Sequence, residues 1–180
     1  MKPKKCKNCG EVFTPTKRIQ PDCSPKCEAE RKAITKKKTR AKPKKKKRKS
    51  IAQEAEAVAK RLQLLRRLQA ADDNGYATCV TCGKVEHYKL LQGGHFISRV
   101  KTIHKLEEWN INPQCKCCNG PLRGNLPEYT LYMIDFYGED FVKEKLATQN
   151  DGRKFTRDEL ASMLEDINEQ IKYHKERVGE

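Results

Sequence analysis

The chain has 180 residues, a formal net charge of +15, 36% hydrophobic residues and a mean hydropathy of −0.91, so any core must be small. No apolar run approaches the roughly 18 residues of a membrane-spanning helix, and Met1-Lys-Pro-Lys-Lys is followed by no apolar segment of the secretory type. A cytoplasmic protein is expected, in which the nine cysteines read as metal ligands and not as disulfides.

The charge is concentrated at one end. Residues 1–50 hold 20 Lys and Arg against 4 Asp and Glu, whereas residues 51–180 hold 19 against 20. Residues 1–32 carry Cys6-x2-Cys9 and, 13 residues on, Cys23-x3-Cys27, the spacing of a miniature four-cysteine zinc module beneath which Phe13 can pack. Reduced surface thiols are the alternative. Residues 33–50 form a basic linker in which Lys36, Lys37, Lys38, Arg40, Lys44, Lys45, Lys46, Lys47, Arg48 and Lys49 crowd around Pro43. Such a run repels itself, is expected to be disordered alone, and suits a polyanion, here DNA. A solubilising or targeting tail is the bland reading.

Residues 51–75 are expected to form an amphipathic helix. Ile51, Ala55, Val58, Leu62, Leu65 and Leu68 recur at three and four, behind Ser50 as N-cap and ahead of the stop at Asp72-Asp-Asn-Gly75. Residues 76–125 are rich in Cys, Gly and Asn and suggest short strands and loops around a metal. From Pro127 the helical period returns through Tyr129 to Tyr137, stops at Gly138, and continues past Phe141 and Leu146. A last helix opens on Thr156-Arg-Asp-Glu159, a capping box, and aligns Leu160, Met163, Leu164, Ile167 and Ile171 on one face. These apolar stripes read as core.

Cys79-Val-Thr-Cys82 and Cys115-Lys-Cys-Cys118 are two knuckles separated by 32 residues. Together they offer four thiolates to one tetrahedral zinc, which leaves no open position and marks the ion as structural. Cys117 is left over as a bystander. Between and beside the knuckles stand Gly93-Gly94-His95, Asn110 and Asn119. Phosphodiester hydrolysis needs a base for water and a divalent cation to absorb charge on the leaving oxygen. A histidine and an asparagine brought together by a zinc clamp could supply both. A structural histidine in a plain zinc ribbon that binds DNA without cutting it remains the rival. The paired glycines suggest close backbone approach to a ligand.

The order Cys-x2-Cys, Gly-His, Asn five residues before the third cysteine, then Cys-x2-Cys-Asn resembles the HNH (ββα-metal) nucleases. The chain is most similar within them to the NinG (Rap) recombination endonucleases of lambdoid phages. That similarity rests on Cys23-Ser-Pro-Lys-Cys27, the basic linker, Gly-His-Phe96, the Asn-Ile run before the second knuckle and Gly124-Asn-Leu126. The resemblance implies an α+β fold in which residues 76–138 form a small zinc-stapled HNH core and residues 139–180 a C-terminal helical region. It assigns His95 as general base, Asn110 as the brace of the hairpin and Asn119 as a ligand of a catalytic Mg2+ or Mn2+, beside two structural zinc ions. Gly94 stands where many such nucleases carry an aspartate, so the second metal ligand is open, with His87 and His104 as candidates and Gln92 near a position that relatives make acidic. Lys105-Leu106 replaces an Arg-aromatic pair. The implied function is metal-dependent cleavage of branched DNA such as Holliday junctions and D-loops, in a phage or prophage setting within a bacterial cytoplasm. Homodimerisation and contacts with other recombination proteins are compatible with it. A generic HNH nicking or restriction-like endonuclease on duplex DNA is the nearest alternative.

Overall fold

The computed structural model describes residues 1–41, 48–100 and 103–180, the side chains of 38–41 excepted. The chain divides into two compact units, Met1–Arg48 and Lys49–Glu180.

In the first unit, β1 (Lys4–Lys5) pairs antiparallel with β2 (Val12–Phe13), and the turn between them carries Cys6 and Cys9. Phe13 is half-buried there, with the Lys4 ammonium 5.9 Å from its ring centre. Helix α1 (Pro25–Ala41) starts where its sequence dictates. The Ser24 hydroxyl accepts from the Cys27 amide at 3.2 Å, and Pro25 occupies the first turn, where a missing N–H costs nothing. Asp22, buried, accepts from Arg31 at 2.9 Å and ties the helix to the cysteine loop. The disordered linker expected over 33–50 is therefore helical through Ala41. Residues 33–41 contain no Gly or Pro and are mostly Ala, Lys and Arg, good helix formers that extend a turn already nucleated and capped. Of the expected DNA-contacting residues, Lys36, Lys37, Arg48 and Lys49 are exposed. The side chains of Lys38 and Arg40, and all of Lys44, Lys45, Lys46 and Lys47, lie outside the described residues.

The second unit is organised around α2 (Ile51–Gln69), whose Ser50 and Gln53 form a capping box. Ala55, Val58, Leu62, Leu65 and Leu68 are buried, as their spacing requires. Helix α6 (Arg157–Arg177), opened by the Thr156–Glu159 capping box, lies parallel to α2: Arg157 meets Glu54, Asn168 accepts from Arg61, and Arg177 donates to the Leu68 carbonyl. Leu160, Ile167 and Ile171 complete this interface. Because α6 begins opposite Glu54, Ile51 precedes the covered stretch and is 45% exposed, not core.

Two antiparallel hairpins follow, β3 (Tyr76–Thr78) with β4 (Val85–His87) and β5 (Gln92–His95) with β6 (Ile111–Gln114); the second packs on the rest of α2, and β3 of the first meets β6. Short helix α3 (Lys116–Asn119) follows β6 directly, and α4 (Leu126–Tyr137) and α5 (Glu139–Ala147) follow it. Phe96, Ile97, Tyr129, Met133 and Val142 form a second small core where the end of β5 meets α4 and α5. The described residues thus make an α+β arrangement, as the sequence implies, and no helix among them is long and apolar enough to cross a membrane.

Candidate functional site

Both cysteine quartets come together. The Sγ atoms of Cys6, Cys9, Cys23 and Cys27 lie within 4.8 Å of one another, as do those of Cys79, Cys82, Cys115 and Cys118. Cys9–Cys23 and Cys23–Cys27 are each 3.6 Å apart and Cys82–Cys115 3.8 Å. A tetrahedral zinc with bonds of about 2.3 Å requires edges of about 3.8 Å, so these clusters fit such an ion. Backbone amides point at the sulfurs, from Asn8 and Cys23 to Cys6 and from Cys118 to Cys115, as thiolate ligands need. Cys117 is exposed and belongs to neither cluster.

The second cluster holds the turn of the β3–β4 hairpin against the end of β6, and the β5–β6 hairpin lies within the chain between them. His95 is the last residue of β5 and pairs with Ile111. Its Nε2 lies 3.3 Å from the Lys105 carbonyl, which can only accept, so Nε2 carries the hydrogen and Nδ1 is left to accept a proton. Burial holds this imidazole below the ordinary histidine range; the Lys105 carbonyl opposes the shift and the Arg99 and Lys105 charges add to it. Asn110 is fully buried. Its Oδ1 accepts from the Ile97 amide at 2.7 Å, and its Nδ2 donates to the carbonyls of Ile97 and His104 at 3.0 and 2.9 Å. It thereby bridges the segment after His95 to the residue before Lys105. Asn119 ends α3, and its Nδ2 donates to Gln92 Oε1 at 2.7 Å.

The two candidate histidines are packing residues. His104 is buried, 3.1 Å from the Thr148 hydroxyl and edge-on to Trp109. His87 lies edge-on to Tyr76 and tilted against Tyr88. Neither lines the cleft described next.

The paired glycines make room for the protein itself, although Gly93 also lines the cleft described below. A Cβ on Gly93 would meet the Gln63 side chain of α2 at 2.7 Å, and one on Gly94 would lie 1.9 Å from Gln114 Oε1. The Tyr129 hydroxyl donates to the Gly94 carbonyl at 2.9 Å, which fixes the strand just before His95. An aspartate at 94 therefore cannot simply restore a missing ligand. Gly94→Asp is expected to cost about 1–3 kcal/mol through overpacking without tightening Mg2+ or Mn2+; paired thermal melts and metal titrations check this.

His95 and Asn119 face one cleft of about 620 Å3, shared with Gln92 and three arginines, Arg67, Arg99 and Arg123. No Asp or Glu lines it among the described residues. Arg99 has a carboxylate partner nearby, Glu56 at 3.8 Å, which Lys105 also binds at 3.0 Å and holds below the usual carboxylate range. Sequence reasoning missed these arginines because they come from α2, the loop after β5 and the loop before α4, and no local motif joins them. Asn110, by contrast, is buried and does not line the cleft.

Comparison with curated proteins and with solved structures finds no match. A protein family does match, described as bacteriophage lambda NinG protein, over residues 1–177. With nearly its whole length matched, cysteine quartets and His95 hairpin included, this chain belongs to the NinG family.

Proposed function

We propose that the protein is a metal-dependent DNA endonuclease of the HNH type that acts in phage recombination, with branched intermediates such as Holliday junctions and D-loops as substrates. The observation that carries this reading is the cleft: His95 and Asn119, 24 residues apart in sequence, share it with three arginines. In this reading His95 Nδ1 takes the proton of the attacking water, and the Lys105 carbonyl keeps the ring oriented through Nε2. Asn110 acts as a positioning residue, since it ties Ile97 and the His104 carbonyl on either side of that loop. Asn119, with its Oδ1 free of the Gln92 bond, and Gln92 beside it would hold a divalent cation through amide oxygens. Such a cation, when bound, supplies charge stabilisation at the leaving oxygen. The arginines attract the phosphates and would share with the cation the stabilisation of charge that develops in the transition state.

The experiment is a cleavage assay with four-way junction, flap and linear duplex DNA in Mg2+ or Mn2+. Preferential cutting of junctions is expected. Equal cutting of all three would favour a generic nicking enzyme, and junction binding without cutting a non-catalytic zinc-ribbon protein. The exposed cations of the basic arm should act separately from the chemistry. Removing residues 33–50 should weaken binding to every DNA alike and flatten the dependence of log affinity on log salt, because phosphate contacts carry no base identity. An unchanged slope would assign the arm to targeting or solubility.

A further inference from the structure

Arg67 is anchored by carbonyls alone. Its Nε donates to Gln63 at 3.1 Å and its Nη1 to Tyr88 and Leu91 at 3.0 and 2.8 Å, while Nη2 has no partner among the described residues. The guanidinium is half-buried, with no carboxylate paired to its charge. Burying a cation is costly unless something pairs with it, and the cleft it lines offers no acid. Arg123 enters the same cleft from the loop before α4. Its φ of +50°, followed by +93° at Gly124 and +46° at Asn125, is left-handed backbone that costs a non-glycine residue about 1 kcal/mol or more. Its exposed side chain makes no hydrogen bond or ion pair among the described residues, so its donors are available to a ligand in the cleft that it lines.

We propose that Arg67 and Arg123 form a phosphate-binding subsite that grips one phosphodiester of a DNA strand in the cleft before any divalent cation arrives. The proposal rests on the endonuclease reading for the identity of the polyanion, but the grip itself requires no cleavage. Arg123 presents a planar fork that matches phosphate oxygens, and Arg67 adds the two N–H groups of its Nη2. Arg67 is fixed in place beforehand by its three carbonyls, so little side-chain freedom is lost on binding. With neutral amides and cations as its lining, the cleft attracts an anion first.

The test uses the full chain in buffer without added Mg2+ or Mn2+, with fluorescence anisotropy of a labelled duplex and a four-way junction across a salt series. Arg123→Gln touches no internal contact, so it should keep the parent melting temperature and zinc content. It should bind both DNAs about tenfold more weakly, the weight of a charge-assisted contact, with a salt slope smaller by about one. Arg67→Gln should lose at least as much, read on protein shown by melting and zinc content to be folded. Lys172→Gln, an exposed cation away from the cleft, should change neither quantity. Parent affinity and slope in folded Arg123→Gln and Arg67→Gln would overturn the subsite even if the parent protein cuts DNA. Weakened binding in both, from a parent that cuts nothing, would leave the subsite standing and remove the endonuclease.

Discussion

His95→Ala is expected to lose DNA cleavage by roughly 10²–10⁴-fold, the usual worth of a general base, while binding DNA with parent affinity. The residue ends β5, its side chain hydrogen-bonds the Lys105 carbonyl alone among the described residues, and it belongs to neither cysteine cluster, so zinc content and fold should persist. Asn119→Ala should show a comparable loss of cleavage with binding retained. The pH profile provides an independent readout. Burial disfavours the protonated imidazole, so His95 stays neutral, and competent as a base, to below the ordinary pKa of about 6.5. Cleavage should therefore fall on the acid side only below that value, and the limb should vanish in the alanine variant's residual activity. Unimpaired cleavage by His95→Ala would place the chemistry elsewhere in the chain.

Cys115→Ser or Cys82→Ser should unfold the second unit, and Cys117→Ser should not. Metal binding to four-cysteine units is worth roughly 10–16 kcal/mol in small zinc peptides, against the roughly 5–15 kcal/mol by which whole domains are stable. Cys115 is doubly placed, since it ends the β6 segment and its sulfur caps α3. The first unit should depend on its metal still more heavily. Among its described residues the buried apolar side chains are only Cys6 and Pro15, so an ion held there would take the place of a core. Elemental analysis should find two zinc ions per chain in the parent and one in Cys115→Ser, with far-UV and near-UV circular dichroism reporting the loss of structure. A chain that folds without zinc would remove this account of both units.

The parts of the fold legible in the sequence are those written locally. The N-cap at Ser50, the capping box at Thr156 and the apolar stripes behind them specify α2 and α6, because hydrogen bonds three residues apart and a 3.6-residue period leave a direct trace. The cysteine pairs specify both clusters for the same reason. Three features were not legible. The helix through residues 33–41 competes with charge repulsion, and propensity with a good cap outweighs a rule about like-charged runs. Gly93 and Gly94 look like a ligand approach, yet the atoms they spare room for are Gln63 and Gln114, distant in sequence. The arginines of the cleft converge from separate elements, which only the packing of α2 on β5 brings together.

The second cysteine cluster also makes a topological statement. A metal held by Cys82 and Cys115 would close residues 83–114 into a covalent-like ring of 32 intervening residues with β5, His95, Lys105 and Asn110 on its circumference. Closing a loop of that length removes chain entropy from the unfolded state worth on the order of 4 kcal/mol. Asn119 lies just outside, four residues past the closure point at Cys115. A single ion there would thus close the arc that carries the base and fix the start of the tail that carries the amide.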